Sequence, residues 1–533
     1  MIRMSVTTPL RLGVWAAIAS VLTPTQSFAQ TQTVFEMRFR AIMSRPEYKH
    51  SRFGVEVYSL DESKVIYSWN PQELFVPGST TKILSVGSAL ELLGPDFRFH
   101  TKIYRTGPVK DGTLDGDLVL VASGDPNLSN RIQPDGSMVF ENEDHSYDGF
   151  AEAKAVPGDP LAVIRELALQ VAAKGITHVT GRVLVDISLF REGARDAGTG
   201  VVISPVVVND NLVDVLVTPG ASEGAAASLA IAPKTRYVTI SNDVKTGAPG
   251  SKMDLRWTKD TVAADGTHAV VLSGTIAADA KSKLRVYKVP TPSKYAETVL
   301  AEALEASGVR LDGKGNGPGP ASSLYTTENE VAQHVSPPLQ EEAKVTLKVS
   351  QNLHASMMPY IVGAYQTKGA GNALQAGFDQ ESALLQKADL DTTGAMQNDG
   401  AGGDALFTPD FMVQYLRHLT RQPFASQFQK SLPVLGKDGT LAGIQVNSPA
   451  AGHVFAKTGT FAAGNALTKG GVIMGKALAG FVDTKDGRHL AIAVFINLVP
   501  VKELGEEATQ LVGEAVGEIA AAAYDGLPPT EKR

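Results

Sequence analysis

Elements that suit one sheet stand at the two ends of this chain, and most of the chain separates them. Residues 53–59 and 64–69 alternate like a strand pair near the N-terminus. Near the C-terminus, residues 478–482 and 490–497 alternate like a hairpin, and residues 504–524 have helical periodicity. We therefore predict a helix–antiparallel sheet–helix sandwich of the α/β (α+β) class, built from both ends with the middle of the chain inserted. The predicted inner face of the last helix contains Leu504, Ala508, Leu511, Ala515 and Ile519.

The middle of the chain has a different pattern. Residues 161–174 and 295–307 each indicate a helix that ends before a glycine. The similarity of the two units is a weak sign of an internal repeat. Residues 130–158 are polar and irregular and indicate an exposed loop, whereas the glycines and prolines of residues 313–320 indicate a boundary linker. Further predicted elements are strands over 118–121, 182–186, 206–217 and 229–241 and helices over 34–43 and 341–358.

The N-terminus has the pattern of an export signal. Arg3 and Arg11 are its positive residues, residues 12–22 are apolar, and residues 27–29 are suited to cleavage. Because a membrane-spanning helix needs about 20 apolar residues, we predict cleavage after Ala29 and no transmembrane anchor afterwards. An exported chain without cysteine indicates a bacterial periplasm.

Composition excludes several kinds of chemistry. The 533 residues include no cysteine, so a covalent catalyst would be Ser, Thr, Lys or a carboxylate. The 49 Lys and Arg against 56 Asp and Glu give a net charge of −7 without basic blocks, which argues against nucleic-acid binding. The ten histidines form neither His-x-His nor His-Glu-x-x-His, so we expect no metal and no other cofactor.

Residues 79–82 read Ser-Thr-Thr-Lys and are followed by an apolar helical run. On a helix, Ser79 and Lys82 share a face, so the amine can reach the hydroxyl. A serine needs a base to become a good nucleophile, and a lysine serves only if its pKa is depressed. Alone, the pattern is more typical of a surface helix than of a catalytic site.

Two further motifs have low specificity when each is taken alone. Ser350-Gln351-Asn352 supplies a hydroxyl for proton relay and an amide for orientation, but residues 68–70 match the same Ser-x-Asn pattern. Residues 68–70 are interpreted as the end of a strand.

Lys457-Thr458-Gly459, followed by Thr460, comes after an apolar stretch, as at the end of a strand. There Lys457 would project into a cleft, Gly459 would let a substrate backbone approach, and the hydroxyls could bind a carboxylate. A second Lys-Thr-Gly at 245–247 runs into a turn.

The order of the motifs makes them specific. Ser79, Ser350 and Lys457 begin Ser-x-x-Lys, Ser-x-Asn and Lys-Thr-Gly in the order typical of penicillin-recognising serine acyl enzymes. The second copies of Ser-x-Asn and Lys-Thr-Gly do not fit this order, since Ser68 precedes Ser79 and Lys245 precedes Ser350. A Gly-x-Ser-x-Gly at 220–224 lacks the long helix of a nucleophile elbow and is interpreted as a hairpin loop. The nearby His354 is interpreted as a packed helix histidine.

The long interval from Ser79 to Ser350 distinguishes the chain from compact β-lactamases. The chain resembles the D-Ala-D-Ala carboxypeptidases and endopeptidases of the class C, low-molecular-mass penicillin-binding protein type, which have a β-lactamase/transpeptidase-like catalytic domain and two domains inserted in this interval. The resemblance covers nearly the whole mature chain. It is carried by residues 75–82, 92–95, 116–118, 123–126, 209–211, 398–400, 432–434, 438–441 and 457–460.

The resemblance implies a role for each motif residue. Ser79 would attack the carbonyl between two D-alanines and form an acyl-enzyme, with Lys82 as its base. Ser350 would pass the proton to the leaving amine, and Asn352 would hold Lys82 and the substrate amide. Lys457 would depress the pKa of Lys82 and attract the terminal carboxylate.

The same resemblance implies how substrate is held. Thr458 and Thr460 would bind the terminal carboxylate, and the backbone N–H groups of Ser79 and Thr460 would form the oxyanion hole. The expected partners are peptidoglycan stem peptides and, as covalent inhibitors, β-lactam antibiotics. The alternatives are a β-lactamase or esterase on the same scaffold and a non-catalytic peptidoglycan-binding protein.

The chain departs from the family pattern in several places. Residues 399–405 read Asp-Gly-Ala-Gly-Gly-Asp-Ala instead of Asp-Gly-Ser-Gly-Leu-Ser-Arg, and Gln351 stands where Asp is common. Residues 468–476 add a Gly/Lys-rich stretch after Thr460. The predicted organisation is a signal peptide over 1–29, a catalytic domain over 30–99 and 326–533, and two largely β inserted domains, one over 100–185 and 245–325 and one over 186–244.

Overall fold

The computed structural model describes residues 33–314, 319–368 and 371–526. The predicted signal peptide therefore lies outside the described residues, and so does the middle of the predicted linker at 313–320. Within the described ranges, no helix is both long and apolar enough to cross a lipid bilayer.

Helices and strands alternate along the chain. The helices are α1 (Val34–Met43), α2 (Lys82–Leu93), α3 (Ala162–Ala173), α4 (Pro292–Ala306), α5 (Leu339–Lys348), α6 (Asn352–Thr367), α7 (Ala373–Lys387), α8 (Pro409–Leu419), α9 (Ala425–Ser431) and α10 (Glu506–Asp525). The strands are β1 (Arg52–Ser59), β2 (Lys64–Trp69), β3 (His100–Arg105), β4 (Val109–Lys110), β5 (Thr113–Leu114), β6 (Leu118–Val121), β7 (His178–Val179), β8 (Val183–Asp186), β9 (Leu212–Thr218), β10 (Ser228–Ala232), β11 (Val238–Gly247), β12 (Asp254–Val262), β13 (His268–Ala277), β14 (Lys283–Lys288), β15 (Arg310–Leu311), β16 (Glu330–Val335), β17 (Ala395–Gln397), β18 (Ala405–Phe407), β19 (Val454–Asn465), β20 (Gly470–Asp483) and β21 (His489–Val501).

The two ends of the chain build one antiparallel sheet, in the order β19-β20-β21-β1-β2. Its strands bury both faces, because successive side chains point to opposite sides. Val494 and Ile496 pack with α1 and α10, whereas Ala493 and Phe495 pack with α2, α6 and α8. The predicted helix–sheet–helix arrangement of the α/β class is confirmed.

The closing helix buries a face that only partly matches the one predicted. In α10, Ala515 and Ile519 are fully buried, but Leu511 is 48% exposed and Leu504, just before the helix, is 39% exposed. The buried stripe instead runs through Val512 and Val516. Ala508, Ala515 and Ile519 of the predicted face are buried, so the prediction is wrong only in placing Leu504 and Leu511 there and in leaving out Val512 and Val516.

The predicted helix over 341–358 is broken at the second motif. Helix α5 ends at Lys348 and α6 begins at Asn352. Between them Ser350 has φ +62°, a left-handed conformation that is uncommon for a residue with a side chain. The Gln351 side chain accepts a bond of 3.0 Å from the Leu353 N–H and so caps α6. The break turns the Ser350 side chain out of the helical repeat.

In its described part, the inserted region forms four small sheets, one of which also includes β16 from the predicted catalytic domain. Their orders are β16-β3-β6-β8, β15-β7-β5-β4, β10-β9-β14 and β11-β13-β12. Helices α3 and α4 pack with the first of these in one core, and a smaller core lies between the last two sheets. The predicted domain boundary at 244/245 falls inside strand β11, so it does not coincide with a boundary between sheets. The division of the insertion into two domains stays a prediction.

Two predicted features of the insertion are wrong in detail. The strand predicted over 206–217 begins only at Leu212, because Asn209, Asp210 and Asn211 all have left-handed φ values of 49° to 55°. The strand predicted over 229–241 is divided between β10 and β11. The Gly-x-Ser-x-Gly at 220–224 lies in the connection between β9 and β10, as predicted for a hairpin loop.

The segment 130–158 is not the exposed loop that its polarity predicted. Arg131, Asp144 and His145 are at most 3% exposed. Their charges pair with one another and with Asp210 inside the molecule. The polar composition predicted that this segment is exposed to solvent. In the structure, pairing of opposite charges compensates the cost of burying these side chains.

Candidate active site

Ser79 lies in a tight turn that leads into α2. Residues Gly78–Thr81 form one 3₁₀ turn, and α2 starts at Lys82. Gly78 has φ +50°, and a Cβ at this position would lie only 2.7 Å from the backbone nitrogen of Thr460. Glycine at 78 therefore lets the turn approach strand β19. The geometry places the Lys82 Nζ 2.6 Å from the Ser79 Oγ.

Lys82 joins the first two motifs. Its Nζ donates to the Asn352 Oδ1 at 2.5 Å and lies 3.2 Å from the Ser350 Oγ. A weaker contact of 3.4 Å reaches the carbonyl of Ala401. Motifs that are far apart in the sequence thus share one amine, and the proton of Ser79 has a continuous path to Ser350.

Burial tunes Lys82 for base chemistry. The side chain is fully buried, and this burial is the main cause that lowers the pKa of Lys82 to about 7, while the carboxylates of Asp196 and Asp399 oppose the shift. At neutral pH a large fraction of the amine is therefore unprotonated. A lysine in that state can accept the hydroxyl proton of Ser79.

Lys457 does not act on Lys82 in the way that the sequence predicted. It is fully buried, and its Nζ donates to the carbonyl of Thr458 at 2.7 Å. Burial, followed by repulsion from Lys82, lowers the pKa of Lys457 well below its ordinary value. For Lys82 too, burial is the main cause of the lowered pKa.

The rest of the third motif lies along the same strand. The Thr458 Oγ1 donates to the Thr440 Oγ1 at 2.7 Å, and the Thr460 Oγ1 accepts from the Lys476 Nζ at 2.9 Å. A Cβ on Gly459 would lie 1.9 Å from the carbonyl oxygen of Pro77. The absent side chain of Gly459 therefore makes room for the chain's own Ser79 turn, not for the substrate backbone that was expected there.

These residues face a cleft of about 430 Å³. Its wall includes Ser79, Ser350, Asn352, Thr458 and Thr460, whereas Lys457 lies behind the surface. The remaining lining residues are Asn142, Glu143, Tyr147, Phe150, Ala197, Gly198, Val349, Thr440, Ile444, Phe461, Ala462, Lys476, Glu506, Thr509, Gln510 and Gly513. The cleft is therefore shared between the catalytic sheet, α10 and the inserted region.

Several site residues lie outside every motif. The Tyr147 hydroxyl donates to the carbonyl of Ser350 at 2.5 Å, which ties the segment 130–158 to the strained residue of the second motif. The carboxylate of Asp196 accepts from the N–H groups of Gly198, Thr199 and Val201 at 2.6–2.9 Å. The only sequence signal was the turn composition of Asp-Ala-Gly-Thr-Gly at 196–200, which does not reveal that the turn borders a cleft.

None of residues 399–405 lines the described cleft, but the altered segment contacts Lys82 through the carbonyl of Ala401 at 3.4 Å. The Asp399 carboxylate accepts from the N–H groups of Ala401, Gly402 and Asp404 at 2.6–2.7 Å. These three hydrogen bonds orient the Ala401 carbonyl toward Lys82. A Cβ on Gly403 would lie 2.2 Å from the Cβ of Ala197. The small residues here therefore fit the turn at 196–200 that packs against them.

A buried ionic cluster lies beneath the second motif. Gln351 Nε2 donates to Asp144 Oδ1 at 3.2 Å and to Asp210 Oδ2 at 3.3 Å. An amide suits this place because it can donate to the two carboxylates, which an aspartate could not do. His354 is a buried helix histidine, as predicted, and its Nε2 lies 2.8 Å from Asp210 Oδ1.

Asp144, His145 and Asp210 are spaced closely enough to hold a metal ion, and within the described ranges they are the one such group. The Arg131 guanidinium already contacts both carboxylates, at 2.7 Å in the case of Asp210. The chain thus supplies the positive charge itself, and these residues are better explained as an ionic cluster than as metal ligands.

The antiparallel sheet between helices and the convergence of Ser-x-x-Lys, Ser-x-Asn and Lys-Thr-Gly on one cleft define a penicillin-recognising serine enzyme. Comparison with protein families identifies which one. The D-Ala-D-Ala carboxypeptidase 3 (S13) family matches residues 37–516, and the chain belongs to this family of peptidases.

Individual relatives agree with this assignment. A D-alanyl-D-alanine carboxypeptidase of Actinomadura sp. (strain R39) is 29% identical over 452 residues, which cover 80% of this chain and 76% of the relative. The crystal structure of penicillin binding protein 4 from Haemophilus influenzae superposes with a TM-score of 0.69 at 20% identity, covering 91% of this chain and 98% of the other. A second structure of that protein, complexed with a β-lactam, has a TM-score of 0.65 over 91% of this chain and 98% of the other, also at 20% identity.

Proposed function

We propose that the protein is a serine-type D-Ala-D-Ala carboxypeptidase that removes the terminal D-alanine from peptidoglycan stem peptides through an acyl-enzyme on Ser79. The observation that carries this proposal is the position of the Lys82 amine, within 3.2 Å of the Ser79 hydroxyl, the Ser350 hydroxyl and the Asn352 amide oxygen. Neutral Lys82 has one acceptor lone pair, and Ser79 is the nucleophile nearest to it. Membership of the carboxypeptidase family supports the substrate class.

Acylation begins when the Ser79 Oγ–H transfers its proton to Lys82 Nζ and the Ser79 Oγ bonds to the carbonyl carbon between the two D-alanines. The carbonyl oxygen becomes an oxyanion, held by the backbone N–H groups of Ser79 and Thr460. Each such donor contributes about 3–4 kcal/mol to stabilising the transition state in comparable hydrolases. The approach of β19 to the turn at Gly78 supports this placement of the two groups.

Collapse of the tetrahedral intermediate breaks the C–N bond. The leaving D-alanine amine takes a proton from the Ser350 Oγ, which is replenished from protonated Lys82 across 3.2 Å. Asn352 keeps Lys82 oriented, since its Oδ1 accepts from the amine in either protonation state. Water then adds to the acyl carbon after giving a proton to Lys82, and Ser79 leaves with its proton restored.

The same chemistry predicts inhibition by penicillins. A β-lactam presents a strained amide beside a carboxylate, and opening of its ring by Ser79 leaves an ester that hydrolyses slowly. The related Haemophilus influenzae protein has been crystallised in complex with a β-lactam. The predicted export signal over 1–29 supports a periplasmic location, where stem peptides are exposed.

The proposal is tested by covalent labelling and by product analysis. A fluorescent penicillin should label the wild-type protein, Ser79→Ala should give no adduct, and Ser63→Ala, on the surface turn between β1 and β2, should label normally. A peptide ending in D-Ala-D-Ala should lose one D-alanine. An unlabelled wild type or a labelled Ser79→Ala would contradict the mechanism. Rapid turnover of penicillin with intact peptide would instead indicate a β-lactamase.

A further inference from the structure

Lys476 is a buried cation that faces the cleft from strand β20. It pairs directly across from Thr460 in the sheet, is only 6% exposed and lines the cleft wall. Its Nζ donates to the Thr460 Oγ1 at 2.9 Å. Among the residues that the structure describes, no carboxylate lies within salt-bridge distance of it, so this ammonium has only a neutral partner in contact.

A buried ammonium without an anion is costly, unless a ligand supplies one. Helix α10 packs beside this side chain, since a Cβ on Gly513 would be in ordinary van der Waals contact, at 3.5 Å, with both the Cε and the Nζ of Lys476. Burial lowers the pKa of Lys476 to about 8, and the nearby charge of Glu143 opposes the shift, so the group is mostly protonated at neutral pH. The cleft thus has a fixed positive charge beside the Thr460 hydroxyl.

Lys457 is poorly suited to the same task. It lies behind the cleft wall, and its Nζ is already used by the carbonyl of Thr458 at 2.7 Å. A carboxylate bound by the hydroxyls of Thr458 and Thr460 would meet Lys476 first, since the Thr460 Oγ1 is the atom to which Lys476 donates.

We propose that Lys476 is the residue that selects for a free C-terminal carboxylate, forming an ion pair with it while Thr460 binds the same group by its hydroxyl. This assignment rests on the proposed carboxypeptidase function and names the residue that recognises the end of the substrate. A peptide whose terminus is blocked as an amide lacks the anion and gains nothing from Lys476.

The test compares two peptides that both end in D-Ala-D-Ala, one with a free carboxylate and one with a C-terminal carboxamide. In Lys476→Met, kcat/KM for the carboxylate peptide should fall about 30-fold or more, mainly through KM, because truncating one partner of a buried charge pair costs several kcal/mol. The carboxamide peptide should change by less than about threefold. Lys476→Arg should restore part of the preference for the carboxylate.

Lys469→Met is the matched control, since Lys469 is exposed at the tip of the same hairpin. An equal loss for both peptides, or an unchanged ratio between them, would overturn the assignment of Lys476. End-point labelling of Ser79 by penicillin distinguishes the two proposals. A labelled Lys476→Met protein with an unchanged ratio contradicts only the role of Lys476, whereas an unlabelled wild type contradicts the carboxypeptidase function itself.

Discussion

In the proposed mechanism Lys82 accepts a proton from Ser79, although its side chain is fully buried. Burial is what permits this, because removal from water disfavours the ammonium form and brings the pKa to about 7. Asp196 and Asp399 keep the shift from going further. The turn at 196–200 and the segment at 399–405 therefore help to set the strength of the base, and neither contains a motif residue.

The pH dependence of acylation follows from this pKa. Below about pH 7 Lys82 is protonated and cannot take the Ser79 proton, so the second-order rate of acylation by penicillin should fall about tenfold per pH unit. Above that pH the rate should level off. Stopped-flow labelling with penicillin at pH values on both sides of 7 would measure how the acylation rate depends on pH. The melting temperature recorded at each pH is the control for unfolding. A flat profile would contradict the assignment of Lys82 as the base.

Strand β19 packs closely against the turn that contains Ser79. Gly459 has no room for a Cβ, which would lie 1.9 Å from the carbonyl oxygen of Pro77, and Gly78 faces the same strand from the other side. The site therefore depends on how closely the backbone of β19 can approach the turn. A change of one methyl group in the strand tests this dependence.

Gly459→Ala should push the strand away from the turn and move the oxyanion-hole groups apart. We expect a loss of about 1–3 kcal/mol in the free energy of unfolding, as is usual for overpacking, and at least a tenfold slower acylation by penicillin. Gly464→Ala is the control on the same strand, since a Cβ there meets nothing within 4 Å. Denaturant unfolding and labelling kinetics would measure both. Equal behaviour of the two variants would show that the contact is unimportant.

The elements of the catalytic domain could be predicted well from the sequence where the pattern is local. The limits of α1 and β2 were predicted correctly, because a short amphipathic helix and an alternating strand have their own periodicity. The break at Ser350 could not be predicted. Its left-handed backbone is held by Tyr147 and by the cap from Gln351, and the first of these contacts comes from a distant segment.

Some residues of the candidate site could likewise be predicted from the sequence and others could not. Ser79, Lys82, Ser350 and Asn352 were identified by residue type and order, and the structure brings their side chains together at Lys82. In the sequence Lys476 is only part of a Gly/Lys-rich stretch, because the sheet register alone places it opposite Thr460. Motif order therefore predicts the residues that the proposed mechanism uses, whereas the other residues of the cleft are placed there by tertiary contacts.

At the scale of the whole molecule, the buried ionic cluster joins the insertion to the catalytic domain. His354 belongs to α6, and its Nδ1 lies 2.9 Å from Glu342 Oε1 on α5. Its Nε2 meets Asp210, which comes from the insertion and also pairs with Arg131 at 2.7 Å. The insertion is therefore held directly below Ser350 by charge pairs that water does not screen.

This cluster should make the stability of the protein depend on pH. Burial opposes the charge on His354, but Glu342 and Asp210 outweigh it and raise the pKa of His354 to about 10. A folded-state pKa above the unfolded value of about 6.5 means that the stabilisation is fully present below pH 6.5 and is lost as pH rises through about 10. The free energy of unfolding should therefore decline over this alkaline range.

His354→Gln should remove most of that decline. The variant keeps a donor for one carboxylate but has no proton to lose, so its free energy of unfolding should start lower than that of the wild type near pH 7 and should change less between pH 7 and pH 10. Urea unfolding at several pH values would measure both curves. His50→Gln is the control, since His50 is exposed in the turn before β1 and should leave the wild-type slope intact. Parallel curves for the wild type and His354→Gln would contradict a charged His354 in the folded protein.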